Sequence, residues 1–164
     1  MTENLAASST EALLRLHANI LHELRERRIV RSTNNPVGDY AEVLFAKAFG
    51  WMIESNSARG HDAIDGSGLR YQIKARRLTH HNPSRQLGVL RELDQSPFDH
   101  LAAVLFDEQF AVFRAIILPR ATVLAQSAYK QRVNGWRFVL NDSSWTAPGA
   151  IDATEHLRET ARAL

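Results

Sequence analysis

Two apolar runs constrain this chain more than any other feature: His100 to Phe106 (HLAAVLF) and Ala111 to Leu118 (AVFRAIIL), joined across a turn containing Asp107-Glu108. A strand with one wet face alternates apolar and polar residues. A run that is apolar at nearly every position needs cover on both faces. The pair therefore reads as a hairpin at the centre of a sheet with further layers on either side, and Pro119 ends its second strand.

Helical signals supply those layers. Ser9 to Arg28 carries Leu13, Leu16, Ile20 and Leu24 at three-to-four spacing, with Arg15, Glu23, Arg25 and Glu26 between them, and predicts an amphipathic packing helix. After the break Ser32-Thr33-Asn34-Asn35-Pro36, the spacing returns in Tyr40, Ala41, Leu44, Phe45 and Ala48, with Gly50 placed to close the helix. The period then changes: Trp51, Ile53 and Ser55 read as a short strand, and His61 to Ile64 with Leu69 to Ala75 as a hairpin around Gly66-Ser67-Gly68. Behind Asn82-Pro83-Ser84, the leucines at 87, 90 and 93 predict a short helix from Arg85 to Leu93. Ala121 to Gln131 predicts another helix, Trp136 to Leu140 a short strand, and Thr154 to Ala163 a closing helix. This order implies an α/β fold, a central mixed β-sheet flanked by helices. No internal repeat divides the 164 residues, so one unit is expected.

Composition removes several classes. With Cys 0 a disulfide scaffold is excluded, no apolar run reaches the roughly 18 residues of a bilayer span, and MTENLAASSTEALL lacks the basic start of a secretion signal. A cytoplasmic protein without a membrane partner is the expectation. The net charge of +2 does not by itself announce a polyanion partner. Its distribution is more informative: from Arg59 to Arg91, the cations Arg59, Arg70, Lys74, Arg76, Arg77, Arg85 and Arg91 face only Asp62 and Asp65.

The hairpin brings chemistry into this basic window. Facing residues in an antiparallel pair have a constant index sum. If Asp65 faces Leu69, Asp62 faces Gln72, and Lys74 follows two residues on along the same face, where opposed Cβ atoms lie about 4.5–5.5 Å apart. A slip of one residue would oppose Asp62 to Tyr71 instead, leaving Asp65 as the reserve carboxylate. An acid, an amide oxygen and a lysine suit metal-assisted phosphodiester hydrolysis: Asp62 and Gln72 offer hard oxygen ligands to Mg²⁺, with Mn²⁺ as its substitute. Lys74 would either position or help deprotonate the attacking water, or neutralise charge developing at phosphorus. Glu42, on the preceding helix, is a further carboxylate. Arg76 and Arg77 just past the strand, and Arg85 beyond them, are candidate phosphate contacts, set against the ordinary reading of solvated cations. The adjacent His80 and His81 lack further ligands at zinc spacing and read as a surface loop.

In this order the residues resemble the PD-(D/E)XK nuclease superfamily, the restriction-endonuclease-like proteins. The matching pieces are GDYAEVLFAKAFG with Glu42, RGHDAID with Asp62, and YQIKARR with Gln72 and Lys74, within roughly residues 38 to 106. The resemblance implies an αβα restriction-endonuclease-like domain spanning 1–164, with an N-terminal packing helix over 1–30, a nuclease core over 36–118, and C-terminal helices with a short strand over 119–164. It implies that Asp62 is the motif aspartate, Gln72 stands at its Asp/Glu position, Lys74 is its lysine, and Glu42 is the acid of the first core helix. The implied activity is Mg²⁺-dependent cleavage of DNA, by a homodimer where both strands are cut. Glutamine at position 72 removes one negative charge from the metal site, which lowers metal affinity. That departure opens the alternative of a catalytically inactive nucleic-acid-binding module of the same fold.

Overall fold

The central apolar runs form β4 (His100–Phe106) and β5 (Val112–Pro119), paired antiparallel. A computed structural model describes residues 5–54 and 60–164; Ser55 and Arg59, invoked above, lie outside the described residues. All of β4 from Leu101 onward is buried. Its alternating side chains divide between two cores, because successive residues of a strand face opposite ways. Ala102, Val104 and Phe106 join Ala41, Leu44, Phe45, Trp51, Tyr71 and Leu157 on one side. Leu101, Ala103 and Leu105 join Leu87, Leu90, Phe98, Val123 and Phe138 on the other.

The helix expected from Tyr40 to Ala48 is α2 (Val37–Phe49), ended by Gly50 at φ 70°, a left-handed conformation that glycine enters without a Cβ penalty. It leads into β1 (Met52–Ile53), β2 (Ala63–Ile64) and β3 (Arg70–Arg77). With β8 (Ile151–Asp152) the six strands run in the order β1-β2-β3-β4-β5-β8. Only β3 and β4 pair in parallel, so the sheet is mixed as expected. The first core is completed by α4 (Thr154–Arg162), whose Leu157 is fully buried against it.

Three expectations are corrected. The first helix forms as α1 (Thr10–Glu26), capped by Ser9 accepting from the Ala12 N–H at 3.2 Å, yet none of its residues is buried and Leu14 and Ile20 are well exposed. Local forces, the cap and the Glu11–Arg15 pair at i,i+4, are satisfied without packing. Arg85 to Leu93 is not a helix. Its leucines are buried, but the backbone is extended and hydrogen-bonds a distant partner: the Leu87 N–H donates to Phe138 O at 3.0 Å, and Leu90 and Trp136 exchange both bonds. The helix predicted through Gln131 stops early as α3 (Arg120–Gln126), and the chain turns back as a ribbon of β6 (Ala128–Lys130) and β7 (Gly135–Arg137). No helix among the described residues is long and apolar enough to cross a membrane.

Candidate active site

The β2–β3 hairpin has the register read from the sequence: Ala63 pairs with Tyr71 and Ile64 with Arg70, index sum 134 in both pairs. Asp65 sets the turn. Its Oδ1 accepts from the Ser67 N–H at 2.9 Å, the Ser67 hydroxyl at 2.7 Å and the Leu69 N–H at 3.0 Å, and its Oδ2 accepts from the Tyr71 hydroxyl at 3.0 Å. The Ser67 hydroxyl, with these other donors, holds its carboxyl down at about 2. A carboxylate so fully engaged is a turn device, which leaves Asp62 as the candidate of the two.

Strand pairing stops at Ala63, and the Asp62 carboxylate takes over as partner to β3. The Asp62 N–H donates to Tyr71 O at 2.8 Å, while its Oδ2 accepts from the Ile73 N–H at 2.6 Å and from the Gln72 amide. Asp62 and Gln72 thus meet. Parallel pairing of Gln72 with Leu101 and of Lys74 with Ala103 puts Gln72 and Lys74 on the same face of the sheet. Burial raises the Asp62 carboxyl above the usual carboxylate range, against the pull of the Ile73 N–H and the Lys74 charge.

Glu42 reaches this point from α2. Its carboxylate is paired with Arg31, whose other guanidinium nitrogen donates to Glu54 O at 3.2 Å and whose backbone N–H donates to Asp39 Oδ2 at 2.8 Å. Burial pushes Glu42 up to about 7; Arg31 opposes the shift and Asp62 adds to it. Four elements therefore bring together two carboxylates, Glu42 and Asp62, one amide, Gln72, and two cations, Lys74 and Arg31. Sequence reasoning missed Arg31, which sits in a loop after an arginine-rich helix end with no pattern to mark it.

The oxygen inventory fits a hard cation. Glu42 Oε1, Asp62 Oδ1 and Gln72 Oε1 accept no hydrogen bond from the described residues, whereas their partner atoms are engaged. Two carboxylates are few, and no cluster of three or more His, Cys, Asp or Glu side chains is gathered for a metal among the described residues. Mg²⁺ typically takes only one or two protein carboxylates and completes its shell with water and substrate phosphate.

The three candidate phosphate contacts are engaged elsewhere in the fold. Arg77 donates twice to Glu108 O, at 3.1 and 2.7 Å, and lies 4.5 Å over the Phe110 ring. Arg76 donates to Asn82 Oδ1 at 3.0 Å, and Arg85 forms an ion pair with Asp142 at 2.7 Å. His80 and His81 meet edge to face.

The raised carboxyls have a consequence for stability. Glu42 holds its proton up to about 7 when folded but only to about 4.5 when unfolded. The folded state therefore binds more protons between those values, and stability falls as pH rises through that window; the raised Asp62 acts in the same direction. Thermal melts in chelator are expected to show a lower melting temperature at pH 8 than at pH 5.5, with the difference narrowed in Glu42→Gln. A flat profile would contradict the buried placement of the two acids.

A scan against protein-family models and a search of curated proteins gave no match to this chain.

Proposed function

We propose that the chain is a restriction-endonuclease-like, metal-dependent DNA endonuclease that hydrolyses phosphodiester bonds. The observation that carries this reading is the meeting of Glu42, Asp62 and Gln72, each with an oxygen that accepts nothing from the described residues, beside Lys74. Asp62 and Gln72 would hold Mg²⁺, with Glu42 beside them. A cation bound there polarises a phosphate oxygen and lowers the pKa of water. The protein's own groups do the rest. Lys74 supplies fixed positive charge where the phosphorus centre gains negative charge, an interaction stronger in the transition state than in the ground state. Arg31 holds Glu42 toward the site, and the Ile73 N–H fixes one oxygen of Asp62, leaving the other directed by the carboxylate plane. Gln72 adds an oxygen without adding charge, so an anionic phosphate meets less repulsion while the cation is held less tightly.

One observation favours the binding module as a second reading. Arg31, paired with Glu42, and Lys74, near Asp62, already counter the two carboxylates, so little negative charge is left over to hold a metal. Supercoiled plasmid incubated with purified protein separates the two. Nicked or linear product with Mg²⁺ or Mn²⁺, and none in chelator, is expected; retardation of the plasmid without metal-dependent product would favour the binding module. One such site cuts one strand, so cutting a duplex implies two copies, and light scattering of the same preparation is expected at twice the 18.5 kDa chain mass.

A further inference from the structure

Between Glu108 and Asp142 the chain contains no acidic residue and five basic ones: Arg114, Arg120, Lys130, Arg132 and Arg137. Two of the five are occupied inside the fold. Arg114 pairs with Asp142 at 3.3 Å and covers the Trp145 ring at 3.6 Å, and Arg120 donates to Leu93 O at 2.9 Å. The other three are exposed, have no ion-pair partner among the described residues, and all lie on the β6–β7 ribbon or its tip. Tyr129, also on the ribbon and half exposed, has its ring edge to face with Trp136 and its hydroxyl on Asn134 Oδ1 at 3.0 Å.

The ribbon's seat ties it to the candidate active site. Trp136 on β7 exchanges backbone hydrogen bonds with Leu90, at 3.0 and 2.8 Å. Two residues earlier, a Cβ placed on Gly88 would lie 4.0 Å from the Lys74 Cδ. Two extended residues span at most about 7 Å, so the ribbon stands on the Lys74 face of the sheet, close beside it. Gly135 holds this approach: a Cβ there would come within 2.3 Å of the Val89 side chain and 3.1 Å of Leu90 O. A two-stranded ribbon is one of the two elements that the DNA major groove admits.

We propose that the β6–β7 ribbon is the duplex-gripping element of this protein, with Lys130, Arg132 and Arg137 on the phosphates of double-stranded DNA beside the scissile bond. This rests on the nuclease reading for its geometry, though duplex binding can be measured without cleavage. The stretch had a signature in the sequence, an acid-free span bearing cations beside Tyr129 and Trp136.

The test is titration of a labelled DNA duplex in chelator at several salt concentrations, comparing wild type with Lys130→Gln/Arg132→Gln/Arg137→Gln. Each lost phosphate contact lowers the slope of log affinity against log salt by about 0.9, so a decrease of about 2.7 is expected, with binding at least about tenfold weaker at low salt. The charge-conserving Lys130→Arg/Arg132→Lys/Arg137→Lys chain is expected to bind as wild type. Unchanged affinity and slope in the neutralised chain, equal loss in the charge-conserving chain, or no duplex binding by wild type would each overturn the ribbon assignment. Failure of the two readings is distinguishable. Duplex binding that depends on the ribbon, with no metal-dependent product, removes the nuclease and keeps the grip; plasmid cutting with a salt slope indifferent to the three cations does the reverse.

Discussion

Lys74→Ala is expected to lose metal-dependent plasmid nicking by about 10²–10³-fold, the scale on which a single preorganised charge stabilises a transition state, while duplex binding in chelator stays at the wild-type level. The separation follows from where Lys74 stands. It lies on β3 beside Asp62 and Gln72, near the β6–β7 ribbon but not among its exposed cations, so removing its charge leaves Lys130, Arg132 and Arg137 in place. Its side chain is half-buried against Gly88, so truncation leaves the fold largely intact. Nicking by Lys74→Ala at the wild-type rate, in protein shown to be folded, would remove the lysine from the mechanism and with it the reading of this hairpin as a nuclease site.

Trp51→Ala is expected to be the most destabilising of the substitutions considered, by about 3–5 kcal/mol on the scale of aromatic-to-alanine changes in cores. That is a large part of the roughly 5–15 kcal/mol that holds a domain folded. Trp51 stacks on Phe45, Phe49 and Tyr71 with centroids at 5.7, 5.1 and 3.7 Å, so its loss empties the seam between α2 and the hairpin. Tyr71 in turn donates to Asp65 and accepts the Asp62 N–H. The cavity therefore loosens the strand that carries Gln72 and Lys74. Urea denaturation measures the effect; a midpoint close to wild type would show that the stack contributes little.

What could be read from the residues alone follows the range of the forces involved. The β4–β5 hairpin and α2 with its Gly50 close were legible because each is written in a local period or a turn residue. The meeting of Asp62 with Gln72 was legible because a three-residue turn fixes an index sum, and the register of Ala63 with Tyr71 is the one that sum requires. Leu87, Leu90 and Leu93 misled for a physical reason. Spacing of three suits one face of a helix, yet the backbone there bonds to Trp136 and Phe138, more than forty residues on, and no local pattern records that pairing. The amphipathic stripe of α1 was read correctly as a helix but not as one that leaves its residues unburied, since periodicity names a face and not what lies against it. Arg31 was invisible because its role depends on Asp39 and Glu42 of α2 meeting Glu54 just past β1.

Both borders of the six-stranded sheet are two-residue strands, β1 on one side and β8 on the other. Such stubs present too few unpaired N–H and C=O groups to template another chain. Each stub limits strand addition at its own border of the sheet. Beyond Tyr71, where β2 no longer covers β3, the Asp62 carboxylate occupies the Ile73 N–H that an added strand would need.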